Sequence, residues 1–257
     1  KETSGIPSSS LERILRQTAK NFAREDEERI REIKRMMEIY KENYEEYPAL
    51  QAKLLKGFAE LLTKEDASTT FYTLKKENEL LAFCRFTDLG EGKKEFGAFN
   101  IPAYLHNSAI GSSFLKSTLE KEAEENDVYA DCDSSSPISD YYINGNKGKF
   151  IVNKINKNYG DTGKDIFSIF RARQEQKQQE QYHYHNFSSR DIIKEYEDNI
   201  GENKIDASEP RLLLKFEKDS PEFIDTVAEL INEQEYVMTN YVIDEENGRV
   251  YAALEKR

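Results

Sequence analysis

The stretch whose residue types and spacing carry the most chemistry runs from Phe99 to Ser113, FNIPAYLHNSAIGSS. A strand pattern ends there, a loop of small residues follows, and an amphipathic helical pattern begins. Such a junction aims several backbone N–H groups outward at a helix N-terminus, where hydrogen bonding and the helix dipole suit a pyrophosphate. Ala109 and Gly111 keep side chains out of the way, and Ser112 and Ser113 add hydroxyl donors. His106 is either a phosphate contact, when protonated, or a plain loop histidine. The two cysteines, Cys84 and Cys132, make neither a disulfide framework nor a metal cluster. No histidine follows Cys84 at an interpretable position, so it reads as an inert buried thiol. His183 and His185 alternate in YHYH and would face one side of a strand. A metal needs three or four ligands, so the pair reads as part of a polar connector and no metal is expected.

The elements that must hold this junction follow from periodicity. Ser10 is placed to cap a helix starting near Leu11, and Leu11, Ile14, Leu15 and Phe22 begin its apolar stripe. Ile30, Ile33, Met37, Tyr40, Tyr44 and Tyr47 continue it until Pro48. Leu50, Leu54, Leu55, Phe58 and Leu62 mark a second helix. From Ser68 the period changes: strands are predicted over 71–74, 80–86 and 96–101, with turns at 76–79 and at Gly90 and Gly92. A helix is predicted from Ser112, a strand over 128–132, a short helix after Pro137, and strands over 150–155 and 166–170. A Gln-rich connector covers 174–186 and a helix 191–199. The chain then reads as strand 212–216, helix 221–233, strand 236–243 and strand 249–254, with Asn247-Gly248 in the last turn.

Composition narrows the classes. The 257 residues carry a net charge of −12, which gives no electrostatic footprint for nucleic acid or an anionic membrane. With 14 Phe and 15 Tyr there is ample core material, which excludes wholesale disorder. No run of about 18 apolar residues is present, and no signal peptide is visible. A cytoplasmic setting is the expectation, with the oligomeric state left open.

Taken in order, the hairpin 71–86, the strand 96–101, the loop-helix, the strand 128–132, the short helix and the two further strands resemble acyltransferases of the GNAT superfamily. In that family a strand runs into a loop of form [Arg/Gln]-x-x-Gly-x-[Gly/Ala] and then a helix. The matching residues here are His106, Asn107, Ser108, Ala109, Ile110 and Gly111. His106 stands in place of Arg or Gln, and Ala109 in place of the first Gly. Ser139-Asp140-Tyr141-Tyr142 followed by Gly148-Lys149-Phe150 resembles the family's Tyr-then-Gly-Phe junction, with extra residues between.

The resemblance implies an α+β fold: a GNAT-like mixed, mostly antiparallel sheet flanked by helices. It implies an acyltransferase core over 67–175; around that core the periodicity and composition set an N-terminal helical segment over 1–66, a connector over 176–206 and a C-terminal β-α-β-β module over 207–257. It also implies transfer of an acyl group, most simply acetyl from acetyl-CoA, to an amine acceptor. Acyl-CoA would bind near Phe99–Ile101 and residues 127–132, with pantetheine amides on the strand edge at Asn100 and Ile101 and the pyrophosphate at 106–112. A backbone N–H near Asn100 or Ile101 would stabilise the oxyanion. Tyr142 would protonate the departing thiolate, with Tyr141 the alternate. Glu95 is the first candidate for general base and Asp88 the second. Arg85 reads as an outward strand arginine, with binding of an acidic substrate group its other use. Cys132 reads as core packing, with a place near the thioester its other use. Two functions follow: an N-acyltransferase, or a non-catalytic acyl-CoA sensor or scaffold on the same fold. The strand at 212–216 would extend the sheet, or residues 207–257 would form a degenerate second half; an independent binding module is the competing reading.

Overall fold

The computed structural model describes residues 27–45, 51, 55–56, 68–77, 79–106, 108–143, 150–159, 163–173, 189–199 and 202–257. The expected helical starts at Ser10–Leu11, the break at Pro48, the connector with His183 and His185, and Asn107, Gly148 and Lys149 lie outside them. The fold is mixed α+β with mostly antiparallel strands and flanking helices. Its contacts divide into two compact units, one of residues 1–91 and 95–118, the other of 92–94 and 119–257.

In the first unit, helix α1 (Glu27–Asn43) places Ile33, Met36, Met37 and Tyr40 on one face by 3.6-residue spacing. That face packs on Leu80 and Phe83 of β2 (Glu79–Gly90), with Phe71 of β1 (Thr69–Lys76) and Ala98 of β3 (Lys93–Asn100) partly buried beside it. Strands β1 and β2 form an antiparallel hairpin from Thr69↔Thr87 to Lys76↔Glu79. The buried Gln51 amide donates to the Lys41 carbonyl at 2.7 Å, satisfying one of the last carbonyls of α1. Helix α2 (Ala109–Glu125) starts at Ala109, three residues before the Ser112 expected from the sequence. Alanine is the strongest helix former, and Ser108 rather than Ser112 stands outside the first turn.

In the second unit the strands lie in the order β4-β6-β5-β8-β9-β7. They are β4 (Asp127–Asp133), β5 (Ile151–Asn156), β6 (Ile166–Arg171), β7 (Arg211–Glu217), β8 (Tyr236–Asp244) and β9 (Arg249–Lys256). Helices α3 (Pro137–Ile143), α4 (Ser189–Asn199) and α5 (Pro221–Glu233) complete it. Strands β8 and β9 are buried on both faces along most of their length, which is why they read as near-continuous runs instead of alternating ones. Val242, Leu213 and Ala253 pack with Ile192 and Tyr196 of α4. Tyr241 and Phe216 meet Phe223 of α5 instead, with ring centroids 5.7 and 5.6 Å apart.

The C-terminal strands continue the sheet from β5, and the strand that makes the join is β8, not the one at 212–216. Strand β7 pairs with β9 at the far edge, while β8 meets β5 at Val152↔Met238. Further along β5, the Asn232 side chain takes the place of a strand. Its Oδ1 accepts the Ile155 N–H at 3.1 Å and its Nδ2 donates to the Ile155 carbonyl at 3.0 Å. Asn203 does the same for Lys215 on β7, at 2.7 and 2.8 Å, which blunts an edge that would otherwise invite pairing.

Candidate functional site

The junction singled out from the sequence lies in the first unit. After β3 ends at Asn100, a short 3₁₀ turn (Ala103–Leu105) precedes the helix. The His106 N–H donates to the Ala103 carbonyl and the Ser108 N–H to the Leu105 carbonyl. His106 is exposed. Ser108 stands immediately before α2, yet its buried hydroxyl has no hydrogen-bond partner among the described residues. It therefore does not cap the helix, and the first-turn N–H groups of a 17-residue helix keep their attraction for an anion. Ser112 turns its hydroxyl back to the Ala109 carbonyl at 3.1 Å, so that donor is occupied within the helix. Gly111 is buried against the strand: a Cβ there would lie 2.9 Å from Ile101 Cδ1 and 3.7 Å from Phe99 Cζ. The glycine thus lets the first turn of α2 close on the end of β3, bringing Phe99, Ile101 and Gly111 together.

Strand β3 departs from regular geometry just before that end. Ala98 has φ 51°, a left-handed value that costs a residue with a Cβ. One residue earlier, a Cβ on Gly97 would lie 2.7 Å from Arg85 Nη2, so the strand is bare where the guanidinium crosses it. Arg85 Nη2 donates to Glu95 Oε1 at 2.6 Å. The arginine side chain is 13% exposed and that of Glu95 47%. Arg85 is therefore an inward, paired cation rather than an outward strand arginine. Glu95 Oε2 takes no part in that bond. Asp88 lies at the exposed end of β2, where its Oδ1 accepts the Gly90 N–H at 2.7 Å.

At the end of the same strand, Asn43 of α1 donates through Nδ2 to Asn100 Oδ1 at 2.8 Å and to the Ile101 carbonyl at 3.0 Å. The strand edge expected to be open at Ile101 thus already has its carbonyl engaged. Glu95 was named from the sequence, but its pairing with Arg85, and the approach of Asn43 and Gly97 to this strand region, were not recognisable there. The one signal was a glycine inside a strand pattern, which marks a close approach without naming what approaches.

The second unit carries the tyrosines. Helix α3 opens at Ser136, whose hydroxyl accepts the Ile138 N–H at 3.4 Å, and ends at Ile143. Tyr142 is buried, its ring 5.9 Å from that of Phe150, and the Phe150 N–H donates to its carbonyl at 3.0 Å. Burial, then Glu120, pushes the half-buried Tyr141 hydroxyl up from its ordinary pKa, against Arg171. Burial likewise pushes the Cys132 thiol up, with Asp131 and Asp133 adding to it, so it stays a protonated packing group. Cys84 is also buried, with its sulfur 3.8 Å from Thr118 Oγ1. Among the described residues no cluster of His, Cys, Asp and Glu is placed to hold a metal, and no helix is long and apolar enough to cross a membrane.

No protein-family model matches the chain, and no curated protein matches it. The solved structures it is similar to include a GNAT family acetyltransferase from Elizabethkingia anophelis with acetyl-CoA bound. That pair shares 18% identity and a TM-score of 0.38, over 44% of this chain and 82% of the other. The ribosomal-protein-S18-alanine N-acetyltransferase from Escherichia coli gives 12% and 0.39, over 45% and 74%. A spermidine N-acetyltransferase chimera from Vibrio cholerae and hSSAT gives 11% and 0.45, over 62% and 96%.

Proposed function

We propose that this chain is an acyl-CoA-dependent N-acyltransferase of the GNAT type, moving acetyl from acetyl-CoA to a primary amine. The observation that carries the reading is the β3–α2 junction, where Gly111 seats the helix N-terminus against the strand end and the Ser108 hydroxyl has no partner among the described residues. The order of elements supports it: a hairpin, a strand, a turn and long helix, then β4, α3, β5 and β6, with β6 between β4 and β5. The functional core would be residues 67–175, preceded by a helical segment to 66 and followed by a connector to 206 and the C-terminal module. The setting proposed is cytoplasmic.

In this reading the residues at 106–112 bind the pyrophosphate through backbone N–H groups and the Ser108 hydroxyl. Backbone N–H groups near Asn100 and Ile101 orient the acyl carbonyl and stabilise charge developing on its oxygen. Glu95 Oε2 takes the proton of the attacking amine, directly or through water, while Arg85 holds the carboxylate in place. Tyr142 gives a proton to the departing thiolate.

A second reading is favoured by two particulars. Asn43 already occupies the Ile101 carbonyl, and His106 and Ala109 replace the usual loop residues. These suit an acyl-CoA sensor or scaffold that binds without turnover.

Calorimetric titration with acetyl-CoA, desulfo-CoA and 3′-dephospho-CoA tests the cofactor site common to both. Saturable one-site binding is expected, weakened about tenfold or more in Gly111→Glu through lost phosphate contacts and the forced contact with Ile101. A melting curve for the variant separates local from global loss. Absence of binding at millimolar ligand sinks both readings.

A further inference from the structure

The end of β3 holds a pair of polar atoms that the proposed chemistry leaves unused. Asn43 and Asn100 are joined by one hydrogen bond, Nδ2 of the first to Oδ1 of the second. Their remaining amide atoms, Asn43 Oδ1 and Asn100 Nδ2, are buried and have no partner among the described residues. Asn100 is 4% exposed. The orientations are fixed by chemistry: the Ile101 carbonyl requires a donor from Asn43, and that same nitrogen requires an acceptor from Asn100. Rotating either amide would set like atoms against each other. One buried acceptor and one buried donor therefore remain on two amides joined by a hydrogen bond, each costly to leave unmet.

We propose that this pair receives an amide of the acyl acceptor, so that the acceptor is peptide-like. The proposal rests on the N-acyltransferase reading above. An amide presents one carbonyl and one N–H, the complement of Asn100 Nδ2 and Asn43 Oδ1. A protonated polyamine presents donors alone; it answers Asn43 and leaves Asn100 unmet. The surroundings fit an uncharged group. Tyr40, about one turn before Asn43, and Tyr44, next after it, have ring centroids 5.0 Å apart. Burial holds the Tyr40 hydroxyl well above its ordinary pKa, with Tyr44 adding and Arg85 opposing, so it stays neutral. Arg85, whose charge reaches Tyr40, has a buried Nε without a partner among the described residues, a further donor for carbonyl oxygen. The amides of pantetheine are the other source of the same chemistry. In the proposed function the backbone of β3 serves them, whereas side chains stand out of the plane of a sheet.

The test is calorimetry on the full chain saturated with desulfo-CoA, titrated with alanylglycine amide and, separately, with spermidine. The wild type is expected to bind the dipeptide amide more tightly than spermidine. Asn43→Ala should weaken the dipeptide amide about tenfold or more, and by more than it weakens spermidine, while leaving desulfo-CoA within error. Asn100→Asp, which keeps Oδ1 and replaces the buried donor, should do the same to the dipeptide amide and covers the case in which Asn43→Ala fails to fold. Tighter binding of spermidine, or no binding of the dipeptide amide by the wild type, overturns the proposal. Equal loss for both acceptors overturns it as well. A loss confined to desulfo-CoA assigns the pair to pantetheine and also overturns it. Failure of the wild type to bind desulfo-CoA is a different result, and it removes the N-acyltransferase reading itself.

Discussion

A chain ending at residue 206 is expected to lose cooperative folding, not merely to melt earlier. Removing 207–257 takes away β8, the neighbour of β5, and with it the Asn232 amide that satisfies the Ile155 N–H and carbonyl. It removes Tyr241, whose hydroxyl donates to the buried Ser134 carbonyl at 3.0 Å and whose ring meets Phe167 edge-on at 5.4 Å. Val152, Ile155 and Phe167, all at 0–3% exposure, then face water on one side. At about 1.5–3 kcal/mol per buried side chain, uncovering those three approaches the whole stability of a typical domain, about 5–15 kcal/mol. Circular dichroism melts of the two chains decide it. A sharp transition in the shortened chain near that of the full one would show an independent C-terminal module.

Tyr142→Phe is expected to lower kcat by about a hundredfold or more, the usual scale for losing a positioned proton donor. The acetyl-CoA KM should stay where it is, because the change removes one oxygen and keeps the ring on Phe150. The split between kcat and KM matters, since a packing defect would move stability and both constants together. An unchanged kcat withdraws the role from Tyr142. Tyr141→Phe is then the variant to make, because its raised pKa keeps that hydroxyl protonated, as a proton donor requires.

Much of the fold was legible because its strands and helices carry strong local signals. The helix at 221–233 has Pro221 at its start and Phe223, Val227, Leu230 and Ile231 buried at helical spacing. The hairpin at 236–256 turns where Gly248 takes φ 61°. Less legible was whatever depends on a partner distant in sequence. Arg85 read as an outward residue because nothing near it announces Glu95 across the strand pair or the bare position at Gly97. Nothing in the sequence singles out Asn43, because its partners are 57 and 58 residues away. The start of α2 was placed late because its small first turn lacks an apolar stripe, although alanine favours helix there. Within the junction, the small residues at 109 and 111 were recognisable, but what Gly111 accommodates, the Ile101 side chain, needed the fold.

The measurement that bears most directly on the central claim is release of free thiol from acetyl-CoA in the presence of a primary amine. Acceptor-dependent release by the wild type, lost in Gly111→Glu, is the result predicted for an N-acyltransferase. Saturable acetyl-CoA binding with no thiol release, for either a dipeptide amide or spermidine, would contradict it and make the chain an acyl-CoA sensor.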